Sequence, residues 1–171
     1  MDTLKAKIRH VLDFPKAGIL FYDFTTLLRD PQGLRLALDG LVRPFDGRSI
    51  DLVVGIESRG FILGAAVADR LGAGFVPVRK LGKLPSATVK ATYALEYGTD
   101  SLEMHRDAIE AGQRVLIVDD LLATGGTAAA TVNLVEGLGG QVEGMAFLIE
   151  LLALEGRKKL PGQQVHTVLS Y

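Results

Sequence analysis

Hydrophobic positions along this chain change period several times, and each change marks an element. Leu4, Ile8, Val11 and Leu12 recur at helical spacing with Lys5, Lys7 and Arg9 between them, which predicts a short amphipathic helix ending at Phe14-Pro15. Asp30-Pro31 sets an N-cap residue before a proline at the first helical position. Leu34, Ala37, Leu38, Leu41 and Val42 then form one apolar stripe up to Pro44, a second helix. Asp51 to Ile56 is a nearly continuous apolar run, followed by the polar turn Glu57-Ser58-Arg59-Gly60 and a helical stretch from Phe61 to Leu71. Gly74 to Val78 and Arg114 to Val118 read as further strands. Thr127 to Leu138 reads as a helix leading to a strand at Val142 to Ile149, with a last strand near Val165 to Leu169. Strands alternating with helices predict a parallel α/β sheet with helices on both faces.

Lys80 to Arg106 breaks this alternation. It is too long for a crossover loop and carries its own period-two pattern, with Tyr93 to Tyr97 and Leu102 to Met104 flanking Gly98-Thr99-Asp100. That pattern predicts a hairpin, and long insertions in compact domains are often lids or binding loops. Near the end, Gly156-Arg157-Lys158-Lys159 reads as a basic helix end with its cations in solvent.

Composition narrows the classes. The chain has 171 residues, 48% of hydrophobic type, which suits one compact domain able to bury a sizeable core. With no cysteine there is no disulfide, no thiolate nucleophile and no cysteine zinc site, and three scattered histidines make a protein-built metal cage a poor expectation. Lys and Arg number 19 against 20 Asp and Glu, so a net charge of -1 provides no global field for nucleic acid or an anionic membrane. The N-terminal residues lack an apolar signal-like run, and the longest apolar stretch, Met145 to Leu154, is broken by Glu150. The expectation is a soluble, cytoplasmic protein whose anion binding comes from local design.

Val115 to Thr127 carries the chemistry. An apolar strand ends in adjacent carboxylates, Asp119 and Asp120, and the turn Thr124-Gly125-Gly126-Thr127 opens a helix. Glycines allow a tight turn that exposes amide N–H groups, hydroxyls add donors, and the helix N-terminus supplies a positive dipole end, together a phosphate cradle. The two carboxylates would repel a phosphate placed on them and suit ribose hydroxyls instead. Taken alone, the Gly-rich turn reads equally as an ordinary strand-to-helix loop. Adjacent acids at the carboxyl end of a buried parallel strand add weight, because open α/β sheets bind ligands at that edge.

The string VDDLLATGGT (Val118 to Thr127) resembles the phosphoribosyl-pyrophosphate (PRPP) signature of the type I phosphoribosyltransferases, in the form seen among the adenine phosphoribosyltransferases. Phe14 to Asp23 (FPKAGILFYD), Gly55 to Phe61 (GIESRGF), Val78 to Pro85 (VRKLGKLP), Leu95 to Gly98 (LEYG) and Gly112-Gln113-Arg114 agree with the same family in order along the chain. The resemblance implies a central, mostly parallel sheet flanked by helices in a single domain over residues 1–171. It further implies a small N-terminal hood over about residues 1–30 and a flexible hairpin lid over about 80–106. It implies transfer of ribose 5-phosphate from PRPP to N9 of adenine, giving AMP and pyrophosphate, with Mg²⁺ carried largely on substrate oxygens, and it suggests a homodimer.

Site residues follow position by position. The resemblance gives Asp119 and Asp120 to the ribose hydroxyls and Ala123, Thr124, Gly125, Gly126 and Thr127 to the 5′-phosphate. Ser58, Arg59, Lys80 and Lys83, with Arg79 reaching across a dimer, go to pyrophosphate. Glu96 goes to proton handling at purine N7. On the residues alone, Ser58-Arg59 is equally a surface turn, the lysines a solvated loop and Glu96 a solvent-facing strand residue. The adenine pocket is assigned to Leu20, Phe21, Tyr22, Leu121 and Ala123. The family commonly has arginine where this chain has Tyr22, and a phenol supplies no fixed cationic fork. On their own, Phe21 and Tyr22 also read as core aromatics. Two rival readings stand beside this one. The first is a phosphoribosyltransferase for a 6-oxo purine, and the second is a non-catalytic PRPP-sensing regulator, which the absence of a basic face disfavours.

Overall fold

The parallel strands are built from apolar residues on both faces because both faces are covered. The structure, a computed structural model, describes residues 2–94 and 98–171. β3 (Leu52–Ile56), β4 (Gly74–Lys80), β7 (Arg114–Leu122), β8 (Gln141–Glu150) and β9 (Val165–Ser170) run parallel. β5 (Thr88–Ala94) and β6 (Thr99–His105) complete a seven-stranded sheet in the order β5-β6-β4-β3-β7-β8-β9. Successive residues divide between the two faces. Val53, Leu116, Val118 and Ala146 pack with α3 (Pro31–Val42) and α4 (Gly60–Leu71). Val54, Val115, Ile117 and Met145 pack with α5 (Gly126–Gly137).

β3 and β7 are neighbours at the centre of the sheet, but the chain leaves them in opposite directions, β3 through α4 to β4 and β7 through α5 to β8. Their carboxyl ends therefore flank a crevice, the place where open α/β sheets bind ligands. At the other end of this pair Asp51 accepts bonds from the backbone N–H of Arg114 (2.7 Å) and from its Nε and Nη2 (2.9 and 2.8 Å). The guanidinium and that N–H hold the Asp51 carboxyl down at about 2.

Several sequence expectations change. The expected first helix is reduced to α1 (Asp2–Lys5), and Arg9–Leu12 is instead strand β1, paired antiparallel with β2 (Leu20–Asp23). Leu4 and Ile8 are buried as helical spacing requires, while Leu12 is 76% exposed, so the apolar spacing does not continue as one face. A further short helix, α2 (Thr25–Arg29), lies between β2 and α3. Thr99 and Asp100, expected in a turn, belong to β6 instead, paired with Ala94 and Tyr93. Much of the segment expected to be a lid is sheet, with β6 paired to β4 and Leu102 and Met104 buried. The basic run is exposed as expected, but Arg157 also has a partner. Its Nε and Nη2 meet the buried Glu150 at 2.7 and 2.8 Å, so the charge that interrupts the apolar stretch has its counterion in the basic run.

Candidate active site

Three loops at the carboxyl ends of β3, β4 and β7 meet in a cavity of about 300 Å³. It is lined by Glu57, Ser58 and Arg59 after β3, Lys80 at the end of β4, and Asp119, Asp120, Leu121, Ala123 and Thr127 around the end of β7, with Tyr93 and Leu102 from the hairpin. A smaller cavity of about 80 Å³ shares Asp119, Leu121, Ala123 and Thr127 with it and adds Thr124, Gly125 and Gly126. The first backbone N–H groups of α5 face no preceding turn, so this second cavity is a cradle of unpaired donors at a positive dipole end. Gly125 enters α5 with φ +78°, and a Cβ there would lie 2.2 Å from the Gly156 carbonyl oxygen. Only glycine fits such a turn at that approach.

β7 runs past Val118 to Leu122, so both acids sit on a rigid strand end. Asp119 accepts the Asp120 N–H at 2.8 Å, and its carboxylate lies where a Cβ on Gly60 would come within 2.6 Å. Burial pushes the Asp119 carboxyl well up, helped by the neighbouring Asp120 charge. Burial also raises Asp120, against the opposing pull of Arg59, whose Nη2 is 2.9 Å away. Two crowded carboxylates of this kind gain from hydroxyl donors, which favour the charged form. A ribose placed between the phosphate cradle and Arg59 would supply them.

The cations divide. Lys80 lines the cavity, with Nζ 3.3 Å from Asp100, which also accepts the Tyr93 hydroxyl at 3.2 Å. Arg79 and Lys83 are held by Glu57, through Nε at 3.2 Å and Nζ at 2.7 Å. Burial of Glu57 acts to raise its carboxyl, but Lys83, the Lys80 N–H and Arg79 together bring it down to about 2.

The β1–β2 hairpin meets the site at Arg59. Phe21 and Tyr22, adjacent on a strand, face different surroundings. The Arg59 guanidinium lies over the Phe21 ring at 5.2 Å, and Phe14 meets Phe21 edge-on at 5.1 Å. Tyr22 packs at 4.1 Å on Tyr171 and at 5.2 Å on His10. Leu20 is 37% exposed on the hairpin.

Comparison with known proteins agrees with this geometry. The phosphoribosyl transferase domain family matches residues 30–163. A curated adenine phosphoribosyltransferase of Methylococcus capsulatus is 58% identical over 171 residues, covering 100% of both chains. This chain belongs to the adenine phosphoribosyltransferases. The crystal structure of the Rhodothermus marinus adenine phosphoribosyltransferase is 61% identical, with a TM-score of 0.96 over 99% of this chain and 97% of that one. The Saccharomyces cerevisiae adenine phosphoribosyltransferase, solved with D-2,5-dideoxy-2,5-imino-altritol 1,6-bisphosphate and adenine, is 46% identical, with a TM-score of 0.93 over 98% of this chain and 97% of that one.

Set against the residues that the family resemblance singles out, the structure brings Ser58, Arg59, Lys80, Asp119, Asp120, Leu121, Ala123 and Thr127 around one cavity. Thr124, Gly125 and Gly126 line the adjoining one. Phe21 approaches through Arg59, whereas Tyr22 turns to Tyr171, and Arg79 and Lys83 turn to Glu57. Glu96 lies outside the described residues. Sequence reasoning missed Glu57, Glu103, Tyr93 and Asp100. Glu57 sits inside GIESRGF and was legible only as an acid beside Ser58-Arg59.

Proposed function

We propose that this adenine phosphoribosyltransferase works in purine salvage through the two joined cavities, with the 5′-phosphate in the α5 cradle, the ribose on Asp119 and Asp120, and pyrophosphate between Ser58-Arg59 and Lys80. The observation that carries the assignment is the set of groups gathered around these joined cavities: the backbone donors of the α5 N-terminus, the two carboxylates of Asp119 and Asp120, and the cations Arg59 and Lys80. That set matches the phosphate, diol and pyrophosphate of PRPP. In the reaction the ribose C1–oxygen bond to pyrophosphate breaks with its electron pair leaving on oxygen, the N9 lone pair of adenine bonds to C1, and the purine loses its ring proton from N7 to the general base assigned there, Glu96.

Charge separates in this step, with positive charge growing on the sugar ring and negative charge on pyrophosphate. Asp119 and Asp120 orient the ribose and sit on its developing positive side. Arg59 and Lys80 meet the departing charge. Phe21 offers a face for the adenine ring, with Leu121 and Ala123 beneath it and Leu20 at the hairpin edge, while Tyr22 supports the hairpin from Tyr171. Glu96 is assigned proton handling at purine N7 on its place in Leu95-Glu96-Tyr97-Gly98.

The donor set fits a magnesium ion brought in on PRPP. Among the described residues no three His, Asp or Glu side chains converge on a metal site, and of the cavity's carboxylates Glu57 is taken up by Arg79 and Lys83, which leaves those of Asp119 and Asp120. Mg²⁺ keeps several waters and is commonly bound through one or two carboxylates plus substrate phosphates. When bound it supplies charge neutralisation to pyrophosphate. A homodimer through α4 is part of the same reading, supported by Ile62 and Leu81, 53% and 51% exposed near Arg79. No described helix is long and apolar enough to cross a membrane. A cytoplasmic location suits a cysteine-free chain acting on phosphorylated metabolites. Crossing a panel of adenine, hypoxanthine and xanthine with PRPP tests the assignment. Adenine alone should yield a nucleotide, and turnover of hypoxanthine with adenine inert would overturn it.

A further inference from the structure

Glu57 is an acid at the rim of a cavity assigned to a polyanion, where an uncompensated carboxylate would repel pyrophosphate. Its side chain is 9% exposed, and its hydrogen bonds run to the end of β4 and to the loop that follows. Oε2 accepts from the Lys80 backbone N–H at 3.0 Å and from Arg79 Nε at 3.2 Å, and Oε1 takes Lys83 Nζ at 2.7 Å. Arg79 Nη1 closes the ring by donating to the Lys83 carbonyl at 3.2 Å. Beyond Lys83 a second buried acid continues the grip, since Glu103 accepts the Lys83 and Leu84 N–H groups at 3.0 and 3.1 Å. The loop between β4 and β5 has no strand or helix of its own, and these carboxylates hold it at Lys83 and Leu84.

We propose that Glu57 is a positioning residue for pyrophosphate recognition, its carboxylate tying the end of β4 to Lys83 of the following loop and so fixing how Lys80 is presented to the cavity. This rests on the assignment of pyrophosphate to Ser58, Arg59 and Lys80. The single negative charge of Glu57 is over-compensated by the two cations it binds, so the rim stays positive. Its carboxyl, held down at about 2, is charged at any working pH. Glutamine in its place has the same shape and can still accept the Lys80 N–H, but it gives Arg79 and Lys83 no counter-charge.

The test uses the ligands' chemistry, because PRPP and pyrophosphate share the group that this loop would recognise, whereas adenine and AMP lack it. Glu57→Gln should raise KM for PRPP and, in the reverse reaction, for pyrophosphate by about tenfold, the usual scale for a lost bond to a charged group. The same variant should lower kcat severalfold, because Lys80 meets the departing charge, while the KM values for adenine and AMP stay within about twofold of wild type. Glu57→Asp, which keeps the charge, should recover part of the loss. Unchanged PRPP and pyrophosphate values would overturn the proposal, as would all four KM values rising together with a fall in Tm, which marks a general role in the fold. Tighter pyrophosphate binding in Glu57→Gln would also overturn it, by showing that Glu57 only competes for the cations. Calorimetric titration of the same proteins with magnesium pyrophosphate needs no turnover. If wild type formed no AMP, the assigned activity would fall, yet a tenfold weaker titration in Glu57→Gln would still support the role of Glu57.

Discussion

In the proposed reading the sheet's carboxyl edge and the N-terminal hairpin serve two ends of one reaction, and they are built by different means. At the edge, Asp119 and Asp120 lie near the end of a nine-residue strand, just past its last pairing with β3 and still alongside β8, and the loop that follows is fixed by a glycine wedged against Gly156. The hairpin is two four-residue strands held to the domain by ring contacts such as Tyr22 on Tyr171. Groups that must meet developing charge within fractions of an ångström are carried by the rigid part. A flat base needs only a face to lie on, and the thin part supplies it. The edge should therefore govern turnover and PRPP binding, and the hairpin adenine affinity alone.

The sharpest way to break that division is Asp120→Asn, which leaves the shape and removes the charge facing the ribose and Arg59. kcat/KM for PRPP should fall about 100- to 1000-fold with the fold intact by circular dichroism, the scale seen when one transition-state electrostatic partner is lost. Next is Gly125→Ala. Its Cβ has no room beside Gly156 and its φ is unfavourable for alanine, so the loop must rebuild. Destabilisation of about 2 kcal/mol is expected by denaturant titration, with weaker PRPP binding.

On the hairpin side, Phe21→Ala should raise KM for adenine about tenfold through lost stacking, while the PRPP value stays within about twofold. A matching rise for PRPP would show that hairpin and edge act as one unit. The smallest effect concerns the far end of the β3–β7 pair. Asp51 is held at about 2, below its ordinary 3.8, by Arg114. A depressed carboxyl stabilises the fold above its unfolded value and loses that contribution as pH falls through the folded one. Wild type should exceed Asp51→Asn in Tm at pH 7, and the gap should close between about pH 4 and pH 2.

The same contrast explains what the sequence showed in advance. β3, α4, β7 and α5 were legible because each is a long periodic run flanked by its own turn residues, and Val118 to Thr127 carries its chemistry within ten consecutive positions. The hairpin was misread because what makes Arg9–Leu12 a strand is its pairing with Leu20–Asp23, a contact outside any local window. Leu4 and Ile8 are buried in either conformation, so spacing could not decide. Glu57 and Glu103 escaped notice for a related reason, since their partners on the β4–β5 loop are brought to them only by the sheet order. The Arg157–Glu150 pair shows the converse. An acid inside an apolar strand had to find a cation, and an exposed basic run supplied it.

The central claim is that the joined cavities perform adenine phosphoribosyl transfer, and the most direct measurement is product formation by the purified protein with adenine, PRPP and Mg²⁺. AMP and pyrophosphate should appear in equal amounts as adenine is consumed, with hypoxanthine left untouched. A folded protein that leaves adenine unconsumed, or that converts hypoxanthine instead, would contradict the account.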